Sequence, residues 1–369
     1  MNKERKIKSI EIVDEIKNTK EEQESNDLLD KKIDHLIELL KKSKHPIIIT
    51  GAGISTSCGI SDYRGPKGLW TLKKQNIKNV QIEKEEKEKQ QQHDMLDIKP
   101  SISHMAIYEL IKLNLIKYVI TQNVDGLHRK SGLIEYKNMV EVHGCRFVEK
   151  CIKCKRRFER NYRVCNRVNY KSHHHKTSNK CEICGGECCD VNVKFGEECE
   201  HSIWEMTEVQ SMTSDLCIVI GTTLALQHMK PLPLYAKENG GHIVIINLME
   251  ISLDKDASLI IRATADHAFV KLFDKLDLKI PDFKKWEPVN KTTIPPYVTE
   301  FKVRKRKLPQ RSIEGDTGDY NSGSEDEDRN DFIQIGKIFE GCEWPTGTDK
   351  TQEWRMKCTE KYMEKISKK

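Results

Sequence analysis

The sequence predicts an α/β fold: a doubly wound parallel sheet into which a small zinc-binding module is inserted. Short apolar runs at 47–49, 216–220 and 243–246 are typical of strands that are buried on both faces of a parallel sheet. Each run ends in glycine or in polar residues, and open parallel sheets bind ligands at that end of their strands. Two Cys-x-x-Cys pairs, at 151–154 and 181–184, predict the zinc-binding module.

Composition bounds the number of domains and the compartment. The chain has 369 residues, of which 33% are charged and 37% hydrophobic, so we expect one large domain with solvated extensions, or two domains. We find no apolar run of about 18 residues, which predicts no membrane span. The N-terminus has no apolar stretch that would indicate a secretory signal. Thirteen cysteines in such a chain favour reduced thiols and metal ligands over disulfides.

The first part of the chain predicts a charged extension followed by a helix. Residues 1–35 are rich in lysine and glutamate, which favours a solvated extension. Apolar residues in Leu28–Leu40 recur with helical spacing, and Pro46 then begins the first strand. A segment rich in glutamate, lysine and glutamine at 73–97 predicts a solvated helical insertion or a flexible loop.

A glycine turn follows the first strand. Gly51 and Gly53 let the backbone pass close to a bulky anion, and the helix expected after them offers N–H groups to a phosphate. The spacing differs from the Gly-x-Gly-x-x-Gly dinucleotide fingerprint, because Thr56 stands at the third glycine position. A tight structural turn is therefore as good an explanation as a phosphate site. The candidate ligand-binding residues of the turn are Gly51, Ala52, Gly53, Ser55 and Thr56.

Two further strand ends carry polar side chains. Tyr118–Thr121 is expected to be a strand, and Gln122, Asn123 and Asp125 follow it. Their amide and carboxylate groups can together bind ribose hydroxyls and a carboxamide, and a polar turn is the alternative. His143 follows the next short strand. A histidine with a pKa near ~6.5 is mostly neutral at pH ~7 and is able to accept a proton.

The two Cys-x-x-Cys pairs predict a closed, structural zinc site. Four thiolates complete a tetrahedron and leave no open position for chemistry. The alternatives are a disulfide pair, or the replacement of one ligand by a cysteine at 188–189. A histidine run at 173–175 is expected to be a solvated loop rather than a further metal site. The four candidate ligands are Cys151, Cys154, Cys181 and Cys184.

The segment around these cysteines is strongly basic. From Arg146 to Lys180 there are twelve Lys or Arg and two Glu, a net charge of +10. Such a patch attracts phosphate backbones or acidic protein faces. The alternative is that dispersed positive side chains keep a small module soluble, and the sequence favours neither interpretation.

Five motifs, in this order along the chain, resemble those of the sirtuins, the NAD-dependent protein deacylases. They are GAGIST with DYRGPKGLW (51–70), QNVDGLH (122–128), the His-Gly pair (143–144), KFGE (194–197) and the Gly-Thr-Thr turn with the later asparagine (221–247). One departure is Ser61, which stands where the family usually has proline and therefore predicts a looser loop. The resemblance covers residues 36–283 and is strongest to the nuclear, chromatin-directed class IV branch.

The resemblance implies a Rossmann-like NAD domain at 36–283, with the zinc module inserted at about 144–195. It implies removal of acyl groups from protein lysines, with NAD as cofactor and one structural Zn²⁺, to give nicotinamide and O-acyl-ADP-ribose. The acyl amide oxygen attacks the nicotinamide ribose, and His143 takes a proton from the ribose hydroxyls. One alternative is mono-ADP-ribosyl transfer at the same NAD site. The other is a non-enzymatic chromatin module, against which the presence of His143, Asn123 and Asp125 argues.

The resemblance also assigns roles to individual residues. Gln122 and Asn123 would hold the ribose, and Asp125 the carboxamide side of the nicotinamide pocket. Trp70 would close over the cofactor. The other expected cofactor-binding residues are the turn at 51–56, Asp62, Tyr63, Arg64, Gly221, Thr222, Thr223, Asn247 and Leu248. The expected contacts of an acylated, histone-like peptide are Phe195, Gly196 and Glu197.

The C-terminal part, 284–369, is expected to be a largely disordered tail that is first basic and then acidic. Lys302–Lys307 is a basic cluster that predicts nuclear localisation or a nucleic-acid contact. Together with the basic zinc module, this cluster indicates a chromatin or nucleic-acid partner besides the acylated protein substrate. We therefore expect a nuclear protein without a membrane partner.

Overall fold

The computed structural model describes residues 20–66, 68, 71, 97–164 and 175–286, together with two short strands further along. The predicted insertion at 73–97 lies, apart from Asp97, outside the described residues. The first ten strands are β1 (Pro46–Thr50), β2 (Tyr118–Thr121), β3 (Met139–Glu141), β4 (Val148–Cys151), β5 (Arg157–Glu159), β6 (Lys176–Lys180), β7 (Glu187–Asp190), β8 (Leu216–Ile220), β9 (His242–Ile246) and β10 (Leu259–Ile261). The helices of the described residues are α1 (Asn26–Lys42), α2 (Ile102–Lys112), α3 (Leu127–Ser131), α4 (His201–Thr213), α5 (Leu234–Glu238) and α6 (Ala265–Lys275), with 3₁₀ turns at Ala52–Cys58 and Asp254–Asp256.

Six strands form one parallel sheet in the order β10-β9-β8-β1-β2-β3. The chain first builds β2 and β3 outward on one side of β1, and then returns to place β8, β9 and β10 on the other side. The strand order therefore reverses between β1 and β8, and doubly wound sheets bind their ligands at such a switch point. The predicted doubly wound parallel sheet is confirmed.

Helices cover both faces of this sheet. In β1, Ile48 contributes to one hydrophobic core, while Ile47 and Ile49 contribute to the other, and all three are fully buried. The first core takes side chains from α1, α2 and α6, and the second takes them from α4 and α5. Because both faces are covered, the strands are apolar along their length rather than alternating between apolar and polar.

Helix α1 confirms the helix predicted from the apolar spacing of Leu28–Leu40. The Ser25 side chain accepts a backbone N–H of the first turn, and Leu29 and Ile33 are buried in the first core. The boundary expected between residues 35 and 36 lies inside this helix. The charged residues of α1 lie on its exposed side, which is why composition alone places the boundary later.

The inserted module is a four-stranded antiparallel sheet in the order β5-β4-β7-β6. Its outgoing and returning chain segments touch at Gly144, whose φ is +77°. A Cβ at this position would lie 1.9 Å from the Val191 carbonyl oxygen, so only glycine fits. The Val193 N–H then donates to the His143 carbonyl oxygen over 3.0 Å. These contacts fix the root of the zinc module directly beside His143.

A second unit, at 296–346, contains an antiparallel pair of strands, β11 (Phe301–Arg304) and β12 (Phe332–Ile335). Strand β11 includes the first three residues of the predicted basic cluster. The rest of that cluster and the acidic segment at 315–331 lie outside the described residues. In the described part of the chain, we find no helix that is both long and apolar enough to cross a membrane.

Candidate functional site

Four polar segments predicted from the sequence meet at the carboxyl edge of the parallel sheet. The register aligns the strand ends: Thr50 pairs with Thr121 on one side and with Ile220 on the other, and Ile220 pairs with Ile246. Since all these strands run in the same direction, the residues after them lie at one edge, on both sides of the switch point. The segments brought together in this way are 51–56, 122–125, 221–223 and 247–248.

The two glycine turns at the switch point are in direct contact. The Gly53 N–H donates to the Gly221 carbonyl oxygen over 2.8 Å, and the Gly51 N–H donates to that of Ile220 over 3.1 Å. A Cβ on Gly51 would lie 2.5 Å from the Cβ of Thr222, and one on Gly53 would lie 2.7 Å from the Cα of Gly221. The contact between the two turns therefore requires glycine at both positions, independently of any anion.

Asn123, Ser55 and Asp125 form a buried chain of hydrogen bonds. Asn123 Nδ2 donates to the Gly51 carbonyl oxygen over 3.0 Å and to Ser55 Oγ over 3.3 Å. Ser55 Oγ donates to Asp125 Oδ2 over 2.8 Å, and the Leu127 N–H donates to Asp125 Oδ1 over 2.9 Å. Both amide protons of Asn123 are thereby used, which leaves its oxygen as an acceptor. The network holds the end of β2 against the turn after β1.

A second contact joins the ends of β2 and β8. Gln122 Nε2 donates to Thr222 Oγ1 over 2.9 Å, and Thr223 is half-buried beside them. In the turn after β1, Ala52 is half-buried and Thr56 is exposed. The predicted cofactor residues of three strands thus line one continuous edge.

The loop after the 3₁₀ turn carries the next predicted cofactor residues. Asp62 Oδ2 accepts the Gly65 N–H over 3.0 Å, and partial burial raises the pKa of Asp62. Burial lowers the pKa of Arg64, and Tyr63 is exposed. Trp70, which was predicted to close over the cofactor, lies outside the described residues.

Asn247 and Leu248 lie at the end of β9, and both are tied to neighbouring chain segments. Asn247 Nδ2 donates to the Met249 carbonyl oxygen over 2.9 Å, and Arg262 Nη1 donates to the Asn247 carbonyl oxygen over 3.2 Å. The Leu248 carbonyl oxygen accepts the Glu22 N–H over 2.9 Å. The segment that precedes α1 therefore anchors this end of the site.

His143 lies just beyond the end of β3 and is 7% exposed. Its Nδ1 is 3.0 Å from the Gln122 carbonyl oxygen, and its Nε2 is 3.0 Å from Nε2 of His228. Burial lowers the pKa of His143 to about 4, against a smaller effect of the Gln122 carbonyl that raises it. The ring is therefore neutral at pH ~7. Since a carbonyl oxygen only accepts, the neutral ring carries its proton on Nδ1 and has an unprotonated Nε2.

The three predicted peptide-contact residues lie where the zinc module returns to the large sheet. Phe195 is 45% exposed, and Gly196 is exposed with φ +84°. Glu197 is half-buried, and its Oε1 is 2.9 Å from His175 Nε2. His175 Nδ1 is also 3.2 Å from Asp190 Oδ1, and the hydrogen bond to Asp190, with Glu197 beside it, raises the pKa of His175. His175 therefore connects the predicted peptide-contact segment 195–197 to the zinc module.

The four predicted zinc ligands come together, and their sulfur atoms all lie within 4.8 Å of one another. The distance is 3.5 Å between the sulfurs of Cys151 and Cys184, and 3.5 Å between those of Cys154 and Cys181. A tetrahedral zinc with bonds of ~2.3 Å separates its sulfurs by about 3.8 Å, so these thiolates fit one Zn²⁺. Four thiolates fill every position, so the metal would stabilise the module and take no part in chemistry. The histidines at 173–174 lie outside the described residues.

Comparison with known proteins identifies the family. A family model described as Sir2 family matches residues 51–228. The NAD-dependent protein deacetylase Sirt6 of Drosophila melanogaster is 36% identical over 280 residues, which cover 74% of this chain and 84% of that protein. This chain belongs to the Sir2 family. It spans about half the length (51%) of the SRT1 deacetylases of Arabidopsis thaliana and Oryza sativa subsp. indica, which are 37% and 35% identical over 69% and 70% of this chain.

Two solved Sir2 structures have the same fold. One holds a deacetylated p53 peptide and 3'-O-acetyl ADP ribose, and the other, a Sir2 homologue, holds ADP ribose. Each is 28% identical, has a TM-score of 0.52, and covers 67% of this chain and 99% of its own. The resemblance to the sirtuins, seen first in five motifs, is thereby confirmed.

In this Sir2-family protein, a buried ion-pair network joins the zinc module to the large sheet. Arg129 on α3 contacts Glu135 at 2.6 Å and Glu141 at 2.5 Å. From the zinc module, Arg157 lies 3.4 Å from Glu135 and donates to the Tyr136 hydroxyl over 2.9 Å. Burial raises the pKa of Glu141 to about 7, against the opposite effect of Arg129. Because charges buried in this way need partners, the network ties the orientation of the module to that of the sheet.

His228 is the residue at the site that the motifs did not reveal. It lies in the loop between β8 and α5, is 1% exposed and contacts His143. The sequence gives no signal for it, because the loop has no periodicity and a single histidine is usually structural. Only the fold places it against His143.

Proposed function

We propose that this protein removes acyl groups from protein lysines with NAD as co-substrate. The observation that carries the proposal is His143, a buried and neutral imidazole at the switch-point edge, next to the Asn123–Ser55–Asp125 hydrogen-bond chain. This reaction needs a base with an unprotonated nitrogen at pH ~7. It also needs neighbouring amide and carboxylate groups that can bind ribose hydroxyls. The names of the relatives and the ligands of the solved Sir2 structures support the same activity.

The residues at the edge fit NAD. When bound, NAD supplies an ADP-ribosyl group whose bond to nicotinamide is the bond that breaks. Asn123 would accept a ribose hydroxyl with its amide oxygen, since both of its amide protons are used within the protein. Asp125 would hold the carboxamide side of the nicotinamide pocket, and it is already oriented by Ser55 and the Leu127 N–H. Such orientation before binding lowers the cost of positioning a reactive group.

His143 would act as general base through Nε2. Its Nδ1–H is held by the Gln122 carbonyl oxygen, which fixes the ring plane and keeps Nε2 available as an acceptor. In this position it takes the proton of a ribose hydroxyl. Burial keeps the ring neutral, because it disfavours the charged form of the imidazole.

An extended peptide would lie along 195–197. Phe195 and Gly196 are exposed, so they offer both an apolar contact and an accessible backbone. Glu197 and His175 hold this segment on the zinc module. The acyl-lysine of the peptide would enter the site between the zinc module and the large sheet, towards His143.

The decisive experiment uses zinc-loaded full-length protein, NAD, and histone peptides carrying acetyl or long-chain acyl groups on lysine, with products identified by mass spectrometry. We expect deacylated peptide, nicotinamide and free O-acyl-ADP-ribose. ADP-ribosylated protein without free O-acyl-ADP-ribose would instead indicate mono-ADP-ribosyl transfer. The same peptides without the acyl group are the matched control, and no turnover of any acylated peptide would overturn the proposal.

We further propose that the protein is nuclear and acts on histone-like substrates. The basic cluster Lys302–Lys307 and the similarity to relatives named Sirt6 and sirtuin-7 support this. The zinc module contributes less positive charge than its sequence implies, because several of its cations have carboxylate partners. These pairs are Lys150–Glu200 at 2.9 Å, Arg160–Glu182 at 2.6 Å and Lys176–Glu187 at 2.7 Å, and all three glutamates lie outside the segment 146–180 over which the charge was counted.

Nuclear residence is tested by replacing Arg304–Lys307 with alanine in a fluorescent fusion. We expect the signal to move to the cytoplasm, because clustered Lys and Arg residues are what nuclear import recognises. The matched control replaces four other lysines near the C-terminus, which should leave the signal in the nucleus. An unchanged distribution in the first variant would show that this cluster has another role. The control positions are Lys361, Lys365, Lys368 and Lys369.

A further inference from the structure

The two buried histidines His143 and His228 face each other with their Nε2 atoms 3.0 Å apart. Their ring centroids are 5.3 Å apart and the rings are nearly perpendicular, at 81°. Trp204 of α4 packs edge-on against His228, with ring centroids 5.7 Å apart. His228 is 1% exposed, so water does not compete for this contact. The separation is that of an N–H···N hydrogen bond.

The direction of this hydrogen bond follows from the other nitrogen of His143. Nδ1 lies 3.0 Å from the Gln122 carbonyl oxygen, which can only accept, so Nδ1 carries the proton. In the neutral ring, Nε2 of His143 is then a pure acceptor. His228 must therefore donate its own Nε2–H to His143.

We propose that His228 is a positioning residue for the base: it donates Nε2–H to Nε2 of His143 and so, together with the Gln122 carbonyl oxygen on the other nitrogen, holds the tautomer and the ring orientation of His143 before substrate binds. The inference rests on the proposed function, in which His143 Nε2 is the atom that accepts the ribose proton. A ribose hydroxyl then replaces the His228 N–H at the same lone pair. Before substrate binds, the His228 N–H therefore occupies the Nε2 lone pair of His143 that the ribose hydroxyl later uses.

The hydrogen bond between His228 and His143 also lowers the pKa of His143. A donated hydrogen bond favours the neutral ring, and a protonated His143 would point an N–H at the N–H of His228. Charged groups on the segments that contact His143 include Asp125, which is bonded to Ser55, and the buried Lys194 on the returning chain. They also include Glu141, which is paired with Arg129, and Lys230, two residues after His228. His228 is the titratable side chain in direct hydrogen-bond contact with the His143 ring among the described residues.

The test compares two variants of the full-length, zinc-loaded protein. His228→Leu fills the space without a donor, and His228→Gln keeps an N–H donor. The measurement is the pH dependence of kcat/KM for deacylation. In His228→Leu we expect its acid limb to lie about one pH unit higher, because the pKa of His143 rises when one neutral hydrogen bond is lost. In His228→Gln, which keeps an N–H donor, the acid limb should lie closer to that of the parent. Zinc content and thermal midpoint confirm that both variants are folded.

A direct measurement separates this inference from the proposed function. ¹⁵N chemical shifts of labelled histidines, with His143 assigned by comparison with His143→Gln, report the tautomer at each ring. We expect His143 with a protonated Nδ1 in the parent. A protonated Nε2 on His143, or an acid limb in His228→Leu equal to that of the parent, would overturn the positioning role while deacylation stands. Absence of deacylation in the parent would overturn the proposed function and leave the tautomer result valid.

Discussion

The chemistry of the site depends most on one residue, His143. Burial holds its pKa at about 4, so it is an unprotonated base throughout the neutral range. A positioned general base contributes ~10²–10⁴-fold to a rate. We predict that His143→Ala loses deacylation by about this factor while it keeps zinc and measurable NAD binding. The measurement is the initial rate of deacylation of an acetyl-lysine peptide at saturating NAD.

Two further variants make the assignment specific. His35→Ala, on the exposed side of α1, is the matched control and should keep the parent rate. Asn123→Ala should fail earlier, at nicotinamide release, whereas His143→Ala should retain some exchange of labelled nicotinamide because the first attack needs no base. A His143→Ala variant that deacylates at close to the parent rate would show that another group is the base.

The positions of single residues at the site were predictable only where a motif marked them. The sequence placed Asn123, Asp125 and His143 after strand ends, and parallel register then brought these ends together. It did not indicate that Gly51 and Gly53 are required by the Gly221 turn, because that contact joins segments that are distant in sequence. Nor did it indicate His228, whose only signal is its position in the fold.

At the scale of elements, the zinc module depends on its metal. Metal binding and folding are coupled in modules of this size, because the ligands are not arranged in the unfolded chain. We predict that Cys184→Ser loses the bound zinc and unfolds the module, whereas Cys189→Ser keeps both. Cys184 belongs to the four-sulfur cluster, while the thiol of Cys189 donates to the Lys150 carbonyl oxygen.

Metal analysis should give one zinc per chain for the parent and for Cys189→Ser, and none for Cys184→Ser. Proteolysis within 144–195 should accelerate only in Cys184→Ser. A zinc-free preparation that remains folded and active would contradict the structural role of the metal.

The module is also held by its buried charges. Arg157 is 1% exposed and pairs with Glu135, which is equally buried. Removing one partner of a buried pair typically costs ~3–5 kcal/mol, because the other charge is left without compensation. We predict a loss of this size in the free energy of unfolding for Arg157→Ala, measured by urea denaturation. Lys153→Ala, at an exposed lysine of the same module, is the control and should change the free energy of unfolding little. Equal effects in the two variants would show that the network does not stabilise the fold.

Element types followed from local patterns more readily than element boundaries did. Apolar runs gave the strands of the parallel sheet, since a strand covered on both faces needs no alternation. The helix predicted from the spacing of Leu28–Leu40 is confirmed as α1, which extends two residues further at each end, because its terminal residues are charged or polar and add nothing to the apolar pattern. The β11–β12 pair was not foreseen either, because its two strands are short and far apart in sequence.

At the scale of the whole molecule, buried histidines contribute to the loss of stability in acid. Burial lowers the pKa of both His104 and His128 to about 3, from 6.5 in the unfolded chain. Their neutral forms therefore contribute stability above pH ~6.5, and this contribution is lost as the pH falls towards their folded pKa values. Each such histidine adds a slope of up to about 1.4 kcal/mol per pH unit.

We predict that the unfolding free energy of the parent falls between pH 6.5 and pH 5, and that His128→Gln falls less steeply. Urea denaturation of zinc-loaded protein at several pH values measures both slopes. The exposed His35→Gln is the matched control, and it should keep the slope of the parent. An identical slope in His128→Gln would mean that His128 takes up its proton in the folded state.

The pairing of β1 with β8 has a consequence for synthesis on the ribosome. Ile47 lies opposite Cys217, so the central pair of the sheet forms only after most of the domain has been translated. At ~5–20 residues per second, roughly ten seconds or more separate the appearance of these two strands. During that interval the nascent chain carries an apolar edge with no neighbour on one side, which is a binding target for chaperones and a hazard for misassembly. A chain released before β8 has no cofactor crevice and keeps that edge exposed, so early termination yields a substrate for quality control rather than a weak enzyme.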